Sequence, residues 1–207
     1  SVSAVVQRRA KILPAAFQHL FHTFNESFSQ TCFFHGYRLY AVDGSDIHIP
    51  TIPDDYSTNF SASADSNGYN LIHLNTFYDL MNRRYMDAVL QDRRKENESS
   101  ALISMLGNIK HDTIIVADRG YESYNNIAHL EAQGIKYVIR VRSNHGIADK
   151  FDLPIDTETD FTADILLTRR KTTEFKSNPE KYRLISSGSA FDFLPKGSKD
   201  AYPLRFR

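Results

Sequence analysis

The chain has a single cysteine, Cys32, and no tryptophan. One cysteine excludes an intrachain disulfide and any zinc site built from several thiolates. It also fits a reducing compartment, so the expected location is cytoplasmic. No apolar run approaches the roughly 18 residues of a membrane span, and no membrane partner is expected. The eight histidines form no HExxH or comparable zinc spacing. Charge of one sign is lacking too, because 25 Lys and Arg balance 25 Asp and Glu. The chain as a whole therefore does not advertise a polyanion partner. The distribution is less even. From Ile165 to Arg207 there are ten Lys or Arg against four Asp or Glu. A basic segment beside an acidic remainder suits nucleic-acid contact next to a carboxylate-rich site, and equally an unevenly charged solvated surface. The opening SVSAVVQRRAK lacks a signal-peptide core and an initial Met, and the end at Pro203–Arg207 is abrupt. The expectation is an internal piece of a longer protein.

What is present is enough for one sizeable domain, or one domain with an insertion: 207 residues, 41% of them hydrophobic. The most informative stretch runs from Ile114 to Arg142. Ile114–Ala117 is a short apolar run rich in β-branched residues, as in a buried strand. Asp118 follows at once, then Arg119, Gly120 and Tyr121. Tyr124, Ile127, Ala128 and Glu131 fall on helical spacing, Gly134 suits a left-handed C-cap, and Tyr137–Arg142 reads as a second strand. In parallel sheets joined by such crossovers, ligands bind outside the carboxyl ends of the strands, where Asp118 stands.

Along the rest of the chain, Phe17, Leu20, Phe21, Phe24 and Phe28 share one face of a helix predicted over Pro14–Phe28. That face suits packing on the domain's own core; the other reading is a docking helix for a partner. Gly36–Asp43 is read as a strand ending in an aspartate, followed by a polar exit through Ser45, Asp46 and His48. Asp54–Asn70 reads as a long loop with mobility and substrate contact. Leu71–Leu80 and Arg84–Gln91 form a hairpin. Asn97 caps a helix reaching Ile109, with Leu102, Met105, Leu106 and Ile109 as its apolar stripe. After Ser143 glycine, proline and charge increase, and short β-like runs appear at Ile165–Thr168 and Tyr182–Ser186.

The expected fold class is α/β, a ribonuclease-H-like mixed five-stranded sheet with flanking helices, followed by a partial β-rich insertion. The first strand should lie centrally and pair in parallel with the fourth. The expected division is an N-terminal helical segment (1–35), the first part of the catalytic core (36–142) and the insertion (143–207).

If those two strands are parallel neighbours, Asp43 and Asp118 end side by side, roughly 5 Å apart by normal strand spacing. Two carboxylates so placed repel unless a cation lies between them, and Mg²⁺ is the hard ion that such oxygens take. Paired ions of this kind clamp the attacking and leaving oxygens of an in-line phosphoryl displacement. The words around the two acids, YAVDGSDI and ADRGY with its following helix and VIRVR strand, resemble the first and second catalytic motifs of bacterial insertion-sequence transposases of the DDE class. The resemblance is to the cut-and-paste group with a β-rich insertion, and covers roughly Tyr37–Arg142.

That resemblance implies that Asp43 and Asp118 are catalytic, metal-binding acids. It implies two Mg²⁺ or Mn²⁺ ions, double-stranded DNA at mobile-element ends as partner, a dimer on paired ends, and in some relatives a hairpin intermediate. It also implies a third acid, a Glu on a helix after the insertion. Glu158, Glu174 and Glu180 lie within the β-like region and Tyr182-Arg183 lacks the motif's spacing, so that Glu is expected beyond residue 207. The chain alone is then expected neither to cut nor to join DNA. Arg119 and Tyr121 are candidates for phosphate contact, with pairing of Arg119 to a nearby carboxylate as the alternative. Arg140 and Arg142, on one face of the last strand, are candidates for following the DNA backbone or for a solvated sheet edge. Arg93-Arg94-Lys95 reads as a surface turn and His48 as structural, with metal or phosphate contact as its other reading. The rival functions are a ribonuclease-H-like nuclease without strand transfer, and a non-catalytic DNA-binding remnant of a transposase.

Overall fold

The computed structural model describes residues 2–29, 31–61, 68–142, 146–151, 154 and 157–207. Its centre is a mixed sheet. Strand β1 (Arg38–Ile49) lies in the middle; β2 is the two-residue Asn59–Phe60; β3 (Tyr69–Asp79) and β4 (Arg84–Asp92) form the hairpin; β5 (Thr113–Ala117) and β6 (Lys136–Ile139) complete the sheet. The main order is β4-β3-β1-β5-β6, with β2 added beside the start of β3. Strands β1, β3 and β4 are antiparallel, while β1, β5 and β6 are parallel. The expected mixed sheet with a central first strand is thus present, with one short strand more than the five anticipated.

Local chemistry explains the elements. The β3–β4 turn is tied by buried Asp79, whose Oδ1 accepts from the amides of Met81 and Asn82, each at 3.0 Å. Helix α3 (Glu98–Leu106) starts at Asn97, whose side chain accepts from Ser100 N at 3.0 Å. Helix α4 (Tyr124–Ala132) starts at Ser123, which accepts from Asn126 N. Just past it Gly134 takes φ +63°, the left-handed stop that its position predicted. Leu102, Met105 and Leu106 of α3 pack with Tyr40, Val42, Phe77, Ile115 and Leu130 into the main core.

Helix α4 also faces a second core. Ile127 and Ala128 meet Ile165, Leu167, Ile185, Phe191, Leu194 and Leu204. These belong to a three-stranded sheet of order β8-β7-β9, with β7 at Ala163–Thr168, β8 at Tyr182–Leu184 and β9 at Ala201–Phe206. Arg169 threads this unit, donating to the carbonyls of Ser186, Ser189, Phe191 and Leu194. Asp192 accepts from Asn125 and His129 of α4, at 3.0 and 2.8 Å, and so fastens the small sheet to the helix.

Several expectations are corrected. The first strand does not end at Asp43 but runs to Ile49, because the eleven-residue β3 pairs with it from Tyr40↔Asp79 to Ile49↔Asn70. Ser45, Asp46 and His48 are therefore strand residues, not a polar exit. The last strand stops at Ile139, so Arg140 and Arg142 lie beyond it and share no strand face. The stretch 54–70 holds β2 and the start of β3; residues 62–67 of the expected mobile loop lie outside the described residues.

The aromatic stripe of α2 (Pro14–Glu26) does not pack on the core. Phe17, Leu20, Phe24 and Phe28 are all more than half exposed. The helix leans on β4 by its polar side instead, with His22 3.9 Å from Asp87 and Arg84 donating to the carbonyls of Asn25 and Phe28.

This arrangement predicts unequal costs for two phenylalanine truncations. Phe77→Ala, fully buried, should lose about 3–5 kcal/mol in urea unfolding. Phe17→Ala should change stability by less than about 0.5 kcal/mol.

Candidate active site

The register of the central strands builds the site. Val42 of β1 pairs with Ala117 of β5, and β5 ends there. The next residues are Asp43 and Asp118, both exposed. Each acid is anchored by one oxygen. Asp43 Oδ1 accepts from Gly44 N at 2.9 Å, and Asp118 Oδ1 accepts from Gly120 N at 2.7 Å. The second oxygen of each makes no hydrogen bond among the described residues.

A third carboxylate, Glu98, lies close to the glycines that follow the two acids. A methyl group at Gly44 would lie 2.7 Å from Glu98 Oε1 and 2.5 Å from His73 Nε2. A methyl group at Gly120 would lie 3.4 Å from Glu98 Oε2 and 2.9 Å from Asp118 Oδ1. The two oxygens of Glu98 thus hang over the two glycines that follow the acids. No motif in the sequence marks Glu98. As an acid in the first turn of a helix it looks like a response to the helix dipole, and the one available signal was that α3 begins beside the ends of the strands.

Below the acids lies Tyr121, which is 1% exposed. It packs in the main core and offers DNA no surface, which corrects its reading as a phosphate contact. Burial pushes its hydroxyl pKa up, and the charges of Glu98, Asp43 and Asp118 push the same way. Arg119 is exposed and makes no ion pair among the described residues, so the alternative reading, pairing with a carboxylate, is not seen. Arg140 is exposed and bonds Ala117 O through its amide. Arg142 is exposed as well; its amide donates to Glu122 at 2.8 Å, and Glu122 also takes Ile147 N. That buried carboxylate staples the exit from β6.

A second polar cluster adjoins the site. Asp46 accepts from His73 Nδ1 and Arg93 Nε, both at 2.8 Å, and Arg93 also pairs with Glu96. Asp46, His73 and Glu96 bring ligand atoms within 4.8 Å of one another. Arg93 already supplies the positive charge there. Arg94 donates to Asn59 O and lies over the Phe60 ring, so both arginines serve the fold. His48 packs against Tyr69. Glu174 lies in the first turn of the five-residue α5 (Thr173–Ser177) and Glu180 precedes β8.

The sequence profile of the family described as "Transposase DDE domain" matches residues 34–207. The chain belongs to that family. No curated protein matches it significantly in sequence. Among solved structures it is similar to piggyBac transposase in a synaptic complex with hairpin DNA, at 13% identity and a TM-score of 0.37. The match covers 61% of this chain and 28% of that one.

Gly44→Ala must displace His73, whose ring is fixed by Asp46, and should cost about 1–3 kcal/mol in thermal or urea unfolding. The bond from His73, assisted by Arg93, holds the Asp46 carboxyl below its ordinary range. A lowered pKa gives stability that is present above the unfolded value, about 3.9, and is lost as pH falls through the folded value. Asp46→Asn should therefore flatten the acid limb of a stability-versus-pH curve and leave the slope near neutrality unchanged.

Proposed function

We propose that this chain carries the Asp43–Asp118 part of a DNA transposase active site, which cuts double-stranded DNA at mobile-element ends and joins it to a target. The observation that supports this reading best is the pairing of Val42 with Ala117, which leaves two exposed carboxylates adjacent on a family-matched core. The donor set fits a hard divalent cation. It consists of carboxylate oxygens, each acid with one oxygen held by a backbone amide and one unengaged. Mg²⁺ or Mn²⁺, when bound, would neutralise charge on the phosphoryl oxygens and make a bound water a better nucleophile.

The residues of the chain do the positioning. The amides of Gly44 and Gly120 fix the rotamers of the two acids before substrate arrives, so no ordering is left for the reaction itself. Exposed Arg119, next to the second acid, meets a DNA phosphate; Arg140 and Arg142 continue a basic track along the backbone. In hydrolysis, water attacks phosphorus and the 3′-oxygen leaves. In joining, that 3′-hydroxyl attacks a target phosphodiester and displaces its 3′-oxygen. A homodimer would hold two ends together. A Glu contributed after the β-rich unit completes the catalytic set by family resemblance.

The full protein should nick duplex DNA bearing its element ends in Mg²⁺ or Mn²⁺. Asp43→Asn and Asp118→Asn should each lower that rate by ~100-fold or more, and Arg119→Gln should weaken DNA binding and reduce its salt dependence by about one phosphate contact. Cleavage that survives either aspartate change would contradict the assignment.

A further inference from the structure

Between Ile165 and Arg207 the β-rich unit carries ten Lys or Arg against four Asp or Glu, an excess that the two-aspartate site does not use. The structure sorts these cations by what they touch. Arg169 is spent on four backbone carbonyls, and Arg183 on the carbonyls of Pro179, Glu180 and Tyr182. Arg205 and Arg207 are paired with Asp164 and Asp160. Arg170, Lys171, Lys196 and Lys199 are exposed and make no ion pair among the described residues.

Strand register gathers these last four. Thr168, the last residue of β7, stands opposite Ala201, the first of β9. Arg170 and Lys171 follow the end of β7, and Lys196 and Lys199 precede the start of β9, so all four issue from one end of the small sheet. A methyl group at Gly197 would lie 3.5 Å from Arg170 Nη2, which puts the two loops side by side. The acids at this end are fewer. Glu174 lines one cleft with Lys199 and shares α5 with Lys176, and Asp200 accepts from Ser198 Oγ at 2.8 Å. The paired arginines belong to the opposite end, where Ala163 and Phe206 line a cleft with Glu122 and Val141 by the exit from β6. The six residues of β7 set the four free cations roughly 17 Å from that end.

Like charges held at one edge repel, and an anionic ligand relieves the repulsion. None of the four is buried, so they enclose no pocket for a small anion. Separate exposed point charges suit a polymer with its own repeated charge, and duplex DNA carries one negative charge per about 1.7 Å of its axis. We propose that the Thr168–Ala201 end of the β-rich unit is a second DNA contact, apart from the two aspartates, which holds a duplex by its phosphates and reads no bases. The choice of DNA rests on the transposase reading; the place of the contact rests on the strand register and on which cations are left unpaired.

The test is fluorescence anisotropy of a labelled duplex of arbitrary sequence with the 207-residue chain, in EDTA and over a salt series. Thermal unfolding checks each variant. Changing Arg170, Lys171, Lys196 and Lys199 together to Gln should weaken binding roughly ten- to a hundred-fold near about 0.1 M salt, and should reduce the slope of log affinity against log salt by about three to four. Lys11→Gln with Lys110→Gln removes two exposed charges outside the β-rich unit and should stay within about twofold. A quadruple variant that binds like the parent, with the same salt slope, overturns the inference. It leaves the transposase reading to the nicking of element ends, which these residues do not enter. A comparable loss in the Lys11 and Lys110 variant overturns it as well, because the effect is then one of net charge. A parent chain that binds no duplex at low salt overturns it too. If the quadruple variant fails to fold, the pair Arg170→Gln with Lys171→Gln and the pair Lys196→Gln with Lys199→Gln decide: a loss of affinity and slope in each supports the contact, and parental binding in both overturns it.

Discussion

Everything at the site depends on one mismatch of strand length. β5 stops at Ala117, opposite Val42, while β1 runs on to Ile49 beside β3. Beyond that point β1 keeps its antiparallel partner and loses its parallel one. The vacated edge is where Asp43 and Asp118 stand. A longer β5 would cover Asp43 with a hydrogen-bonded neighbour, and a shorter one would bury Asp118 below the rim. Tyr121, in the turn just after Asp118, belongs to the main core beneath.

The two glycines are part of the same constraint. Gly44 and Gly120 do not need unusual backbone angles; they need the absence of a side chain. That space admits Glu98 and His73 close to the backbone, and the amides donate directly to the two acids. The words DGS and DRG therefore state a geometric requirement: an acid, and within two residues a backbone that other groups can approach.

Much of this was legible in the sequence. The ADRGY word after a β-branched run marked Asp118, and the hairpin and the two helix caps at Asn97 and Ser123 follow short-range rules that tertiary packing did not override. The order of strands and helices then placed β1 and β5 side by side, with Val42 beside Ala117. The misreadings share a cause. Whether β1 continued past Asp43 depended on pairing with residues some thirty positions away, which no local pattern in SDIHI reveals. Tyr121 looked like a surface residue because it follows an exposed acid, yet the short turn after Asp118 points it into the core. The aromatic face of α2 carried the period of a core helix, and periodicity records which residues share a face, not whether anything covers it.

The most direct test of the account is anomalous diffraction from crystals of this chain grown with Mn²⁺. The account predicts a peak between Asp43 and Asp118. A peak at Asp46, His73 and Glu96 instead, or aspartates whose side chains diverge with no ion between them, would contradict it.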